Sequence, residues 1–200
     1  VFAIASPTFL TMTNIIGVLR QVSVNGILAV GMMMVIITGG IDLSIGPLAA
    51  TAGVVSALLL EKNEGILVPA VLAGILSAAI ISMWTGMLVA KMRIAPFIAS
   101  LSTMSIAKGV VLVIADGVPH TIKDKTYTNI GNGFLWDPSK TGGLSIPIPI
   151  LVFTAVAIVV GVTLYKTRYG RHIYAVGGNE NAAIASGVNT VRVKFCTYVF

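Results

Sequence analysis

The chain has 200 residues, 56% of them hydrophobic and only 10% charged, with a mean hydropathy of +0.96; a soluble domain carries about a quarter of its residues as charges, so that class is excluded and a bilayer is implied. The formal net charge of +6 does not signify a nucleic-acid partner, because the 13 Lys and Arg are scattered between long apolar runs instead of gathering on one face. They read as topology signals. A hydrocarbon core about 30 Å thick is crossed by about 20 helical residues at 1.5 Å each, and this length is the ruler along the chain.

Residues 1–5 read as the tail of an earlier span, and no signal-peptide pattern is visible. The stretch from Val24 to Leu60 is apolar for far longer than one span needs and is interrupted by Gly39, Gly40 and Asp42, so it reads as two crossings with a break between them. Pro47 lacks an N–H and belongs in a first helical turn, which favours Ser44 or Gly46 over Asp42 as the N-cap and starts the second helix near residues 45–47. From Pro47 to Leu60 that helix is only about 21 Å long. A carboxylate near the bilayer centre costs about 2.5 to 3.5 kcal/mol, so Asp42 must face protein, water or a freed backbone donor. Two readings stay open: a break within the membrane that shapes a solute pathway, or a helix cap and tight turn at the cytoplasmic interface.

Three further spans follow, Ile66 to Ala90, Ile94 to Ala115 and Ile146 to Tyr165, each of about 20 to 25 residues. Lys108 is the one charge inside them, about two turns from the Asp116 end, where it either snorkels to that interface or serves a pathway. The 116–145 link carries turn chemistry at Asp116-Gly117, Asn129 to Gly133, Asp137-Pro138 and Gly142-Gly143, and reads as a loop with room for one short element. Phe195 onward reads as the head of a later span, with the single Cys196 a small buried hydrophobe that leaves no disulfide to form within the chain. Taken together the chain is predicted to be all-α, a polytopic transmembrane bundle that is part of one domain of a longer protein, both ends cut.

Cytoplasmic loops retain Lys and Arg. Lys91 and Arg93 make one basic turn, and Lys166, Arg168, Arg171, Arg192 and Lys194 stand against the single acid Glu180 in the 166–194 loop. That places both in the cytoplasm, with the acidic 61–65 turn and the 116–145 link outside. Ser6 to Gln21 is then also outside, with Arg20 on the disfavoured side.

Enzyme readings fail on inventory. Asp42 is the only acid well inside an apolar stretch, His120 and His172 fall in loops, no His, Cys, Asp or Glu residues recur at metal-ligating spacing, and there is no phosphate-cradling GxxxxGK[ST] loop. No cofactor is expected, and transport or passive structure remains. In the 166–194 loop, Asn179 can cap a short helix with Glu180 in its first turn and Gly187 as its stop. Its small side chains let a partner's groove approach closely, although a plain connector would fit the pattern as well.

The run Gly39-Gly40-Ile41-Asp42-Leu43-Ser44-Ile45-Gly46, followed at this distance by Thr167-Arg168-Tyr169-Gly170-Arg171 and Ala175-Val176-Gly177-Gly178-Asn179-Glu180, closely resembles the permease subunit of bacterial ABC importers for monosaccharides, the ribose-type family. Val22 to Ile27, Ala95 to Ala99 and Ser186 to Asn189 extend the likeness along nearly the whole chain, while Pro47 stands where that family has a small polar residue. The resemblance implies two permease subunits in the bacterial cytoplasmic membrane, the second most simply a copy of the first, with a cytoplasmic ATPase pair and an extracytoplasmic sugar-binding protein. It implies no catalytic residue in this chain. Asn179 to Gly187, with Gly177, Gly178, Glu180, Ala182, Ala183 and Ser186, would be a coupling helix seated in the ATPase and flanked by Arg168 and Arg171. Gly39, Gly40, Asp42, Ser44 and Gly46 would form the broken helix beside the pathway, and Tyr127 to Trp136 could meet the binding protein. The competing expectations are an ABC permease for another small polar solute, such as an amino acid, nucleoside or furanone, and an ion-coupled carrier, which has no use for a cap-helix-glycine unit.

Overall fold

In the computed structural model, which describes residues 9–62, 66–122, 124–135 and 146–200, five helices are long and apolar enough to cross a membrane. They are α1 (Met12–Ile37), α2 (Ile45–Lys62), α3 (Leu67–Ala90), α4 (Pro96–Ile114) and α6 (Ile148–Lys166), joined by the shorter α5 (Lys125–Asn132), α7 (Arg168–Gly178), α8 (Glu180–Ala185) and α9 (Thr190–Val199). Among the described residues there is no strand, only an isolated bridge between Phe134 and Pro147. The chain is therefore the all-α, multi-pass bundle its composition implies.

Proline and left-handed residues set the helix ends. Pro96 opens α4, Pro149 is the second residue of α6, and Pro47 and Pro69 sit in the first turns of α2 and α3, where an N–H has no intrahelical partner to lose. At the other end of α1, Gly39 takes φ +80°, the Gly40 N–H donates to the Val35 carbonyl and the Gly39 N–H to the Ile36 carbonyl, a Schellman stop. The α4 stop has the same bonds, with Asp116 in the left-handed position.

Helix α3 is central, packed against α2, α4 and α9, while α1 pairs with α6. Small residues and hydroxyls make these contacts. A Cβ at Gly74 would lie 2.4 Å from the Ala52 carbonyl oxygen, Ser56 Oγ donates to the carbonyls of Ala52 (2.8 Å) and Ala70 (3.1 Å), and the buried hydroxyls of Thr85 and Thr103 are 2.7 Å apart. Lipid offers no hydrophobic drive between helices, so close backbone approach and interhelical hydrogen bonds hold them instead. Leu112, Val113, Ile158 and Val159 point away from the bundle, and Lys108 lies on an exposed face of α4.

The connections sort to two ends, as alternating crossings require. At one end Glu61 contacts His120 Nδ1 at 2.8 Å, and the Arg20 guanidinium donates to the Asn132 carbonyl and lies 4.7 Å over the Phe134 ring. The Glu61 carboxylate holds the His120 imidazole above its ordinary value. At the other end the 38–44 segment, the Lys91 turn and the 167–189 segment come together.

Several boundaries depart from the sequence expectation. α1 begins at Met12, not Val24, and at 26 residues is about 39 Å long, longer than the bilayer core. Its polar residues are compatible with helix because Ser23 Oγ bonds the Leu19 carbonyl and the Arg20 guanidinium reaches the Asn132 carbonyl, so a hydropathy ruler misses these first turns. α2 starts at Ile45, within the expected 45–47, but runs two residues past Leu60, and its 18 residues span about 27 Å, not 21 Å. The 116–145 link contains α5, capped by Asp124, whose carboxylate accepts from the N–H groups of Thr126 and Tyr127. α9 starts at Thr190, five residues before the expected head of a later span. The readings on residues 1–5 and Trp136, and the turns at Asp137-Pro138 and Gly142-Gly143, lie outside the described residues.

Candidate functional site

The break between α1 and α2 is organised by Asp42. Its Oδ1 accepts from both the backbone N–H (2.8 Å) and the hydroxyl of Ser44, and the Ser44 carbonyl accepts from Leu48 to open α2. Ser44 thus holds the N-cap position, and Asp42 fastens Ser44 instead of capping the helix itself. Asp42 is 5% exposed, and the positive end of the α2 dipole lies beside it, so the buried carboxylate is met by local donors. Gly46 is the second residue of α2 and not part of the break.

α1 and α2 diverge here, and a cavity of about 400 Å³ opens between α1, α2, α3 and the end of α9. Asp42, Ile45, Leu48, Ser82 and Tyr198 are among its walls. Ser82 is eight residues, about 12 Å, before the Ala90 end of α3. The lining is mostly apolar, and among the described residues Asp42 is its one carboxylate side chain. Replacing Asp42 with Ala is expected to leave two buried donors on Ser44 unmet and to destabilise the protein by about 1–3 kcal/mol, whereas Asp42→Asn keeps an acceptor and loses less. Thermal unfolding of the two purified variants checks the order.

The 166–194 segment is not a loop with one helix but three helices. Thr167 caps α7, accepting from the Gly170 N–H, and a Cβ on Gly170 would lie 2.2 Å from the Leu164 carbonyl oxygen, so glycine permits the sharp turn out of α6. Ile173 and Val176 of α7 are buried with Met34, Val160, Leu164, Ala183 and Val193. Gly177 lies against the end of α1, where an added Cβ would sit 1.8 Å from the Ile37 carbonyl oxygen. Gly177 and Gly178 therefore end a helix and do not form a free hinge. The Tyr169 hydroxyl is 3.5 Å from the Val193 carbonyl, and burial pushes its pKa up.

α8 begins as the sequence suggests. Asn179 Oδ1 accepts from the Ala182 N–H at 3.0 Å, and Gly187 at φ +81° closes a third Schellman stop, with the Val188 N–H donating to the Ala183 carbonyl and the Gly187 N–H to that of Ile184. Ala183 is a correction. At 4% exposed it packs into the core, so it cannot offer its side chain to a partner. At 100° per residue the face opposite Ala183 carries Asn181 and Ala185, both exposed. Ile184 is also open, at 51%. Ala182 and Ser186 are exposed, as are Arg168 and Arg171 on α7. Asn181, Ile184 and Ala185 escaped the sequence reading because it took the small residues of α8 as one surface, when a six-residue helix must turn one of them inward.

Glu180 is held by Lys194 of α9 at 2.6 Å. That hydrogen bond, with the Lys194 and Arg93 charges, keeps the Glu180 carboxyl below its ordinary 4.5. The linkage follows: a depressed folded pKa contributes stability in full above the unfolded value and loses it as pH falls through the folded one. Acidification below about pH 4.5 is therefore expected to lower the amide-exchange protection of 180–188 relative to the intrinsic rate, and Lys194→Gln to weaken that pH dependence.

A family model described as branched-chain amino acid transport system / permease component matches residues 14–200. The chain is 39% identical over 201 residues to the ribose import permease protein of Bacillus subtilis (strain 168), covering 99% of this chain and 59% of that relative. It is 40% identical over 193 residues to the ribose import permease protein of Escherichia coli (strain K12), at 96% and 59% coverage. It is 34% identical over 197 residues to the L-arabinose transport system permease protein of the same strain, at 98% and 57%. The chain thus spans a little under three fifths of the length of these relatives. No solved structure matches it.

Proposed function

The chain belongs to the family of branched-chain amino acid transport system permease components, and from that premise we propose that it is part of the transmembrane permease subunit of an ATP-driven importer of a monosaccharide, ribose or a close relative, in the bacterial cytoplasmic membrane. ATP hydrolysis belongs to a separate subunit that docks at the Lys91 end, which the excess of Lys and Arg there assigns to the cytoplasm. An extracytoplasmic sugar-binding protein delivers solute at the Glu61 end, and a second permease subunit, most simply another copy, completes the pathway. The observation that carries this reading is α8, a capped and glycine-stopped helix that shows Asn181 and Ala185 outward while Ala183 and Glu180 root it in the bundle. Sugar is preferred over the amino acid of the family description because relatives named for ribose and arabinose match nearly the whole chain.

In this arrangement nucleotide-driven closure of the ATPase pair displaces α8, and the packed bundle responds by switching between two discrete arrangements. Asp42 and the cavity beside it lie where α1 and α2 part, which suits a segment that moves as the pathway opens. The test is uptake of radiolabelled ribose, arabinose and leucine into proteoliposomes holding this permease with its ATPase and binding protein. ATP-dependent accumulation of a pentose supports the reading. Accumulation driven by a sodium or proton gradient without ATP overturns it, and ATP-driven uptake of leucine alone moves the substrate to the amino acid class.

A further inference from the structure

α9 connects the two parts of the candidate site through one face. Lys194, in its first half, reaches Glu180 Oε2 at 2.6 Å. Four residues on, and so on the same side of the helix, Tyr198 is 5% exposed and its hydroxyl lies 3.4 Å from the Ile41 carbonyl. A Cβ on Gly40 would meet that hydroxyl at 2.6 Å and Val35 Cγ1 at 2.9 Å, so glycine is what lets Tyr198 seat there. Gly40 and Ile41 directly precede Asp42. Against α3, a Cβ on Gly86 would lie 3.1 Å from the Phe195 carbonyl oxygen and 3.4 Å from Tyr198 Cβ, which leaves α9 little freedom to slide sideways.

We propose that Lys194 and Tyr198 are positioning residues that carry the displacement of α8 to the 38–44 segment beside Asp42. The inference rests on the reading above that an ATPase moves α8. The turn of helix between the two residues is stiff in its backbone hydrogen bonds, so a shift of Glu180 either breaks the ion pair or moves α9. A moving α9 takes the Tyr198 hydroxyl with it, and Ile41 and Gly40 follow. The route needs no contact between α8 and the break.

The experiment is the ratio of radiolabelled ribose taken up to ATP hydrolysed, in proteoliposomes of the whole assembly. Tyr198→Phe removes one hydroxyl and keeps the ring, Lys194→Gln removes the charge, and each is expected to lower the ratio about five-fold. Because the two act in series, the double variant falls no further than the worse single. Gly40→Ala, which displaces the hydroxyl, gives the same loss as Tyr198→Phe, while Lys194→Arg keeps the ion pair and most of the ratio. Tyr165→Phe, the same change on a side chain 81% exposed, leaves the ratio unaltered. A wild-type ratio in Tyr198→Phe, or single effects that multiply in the double variant, overturns the relay and leaves the proposed function standing. A wild-type assembly that takes up none of ribose, arabinose and leucine with ATP overturns both.

Discussion

Gly177→Ala is expected to lower the thermal unfolding midpoint of the purified protein by about 5 °C, while Gly178→Ala one residue along leaves it nearly unchanged. The contrast comes from what each new methyl group meets. At 177 it meets the Ile37 carbonyl oxygen at 1.8 Å, a backbone atom that cannot rotate aside, and at 178 it meets nothing within 4 Å. To make room, α7 must lift from the end of α1, which draws Ile173 and Val176 out of the cluster they share with Met34 and Val193. Overpacking of this kind costs about 1–3 kcal/mol. On the proposed function ribose uptake should fall with it, because Ala183 of α8 packs on Val176 of α7 in the same cluster. Equal midpoints for the two variants would mean that α7 does not bear on α1.

Ala185→Trp is expected to cut ATP-driven uptake more than ten-fold with no loss of thermal stability, and Ala183→Leu to do the reverse in order, lowering stability first. Ala185 is exposed on the face opposite Ala183, so a large ring there has room in the isolated subunit and none in a partner's groove. Losing about 1.4 kcal/mol of partner affinity already weakens docking ten-fold, and an interface centre commonly supplies 2 kcal/mol or more per side chain. Ala183 sits among Val176 and Val193, so added methylenes act on the fold. Uptake that survives Ala185→Trp would remove that face of α8 from the interface.

The spans were legible because apolar length is a direct physical requirement of the bilayer. Ile66 to Ala90, Ile94 to Ala115 and Ile146 to Tyr165 match α3, α4 and α6 to within two residues at each end. The Asn179 cap and the Gly187 stop were legible too, since each is a local rule of side chain or φ. Hydropathy could not show the extra turns of α1, where the Ser23 hydroxyl bonds the Leu19 carbonyl and one guanidinium nitrogen of Arg20 reaches the Asn132 carbonyl. α7 was missed although Thr167 and the spacing of Tyr169, Ile173 and Val176 mark a capped amphipathic helix. Only the approach of Ile37, far along the chain, explains why Gly177 is needed at its end. The inward turn of Ala183 and the Lys194 to Tyr198 face of α9 depend on neighbours far along the chain, which no local pattern carries.

The docking of an ATPase on α8 is tested most directly by proximity. With Cys196 replaced by Ser, Ala185→Cys is placed on the outward face of α8 and Ile158→Cys on the exposed apolar face of α6, and the intact assembly is treated with a short thiol-to-amine cross-linker. The account predicts a permease–ATPase adduct from position 185, lost when the ATPase is omitted, and none from position 158. Adducts from both positions, or from neither, would contradict it.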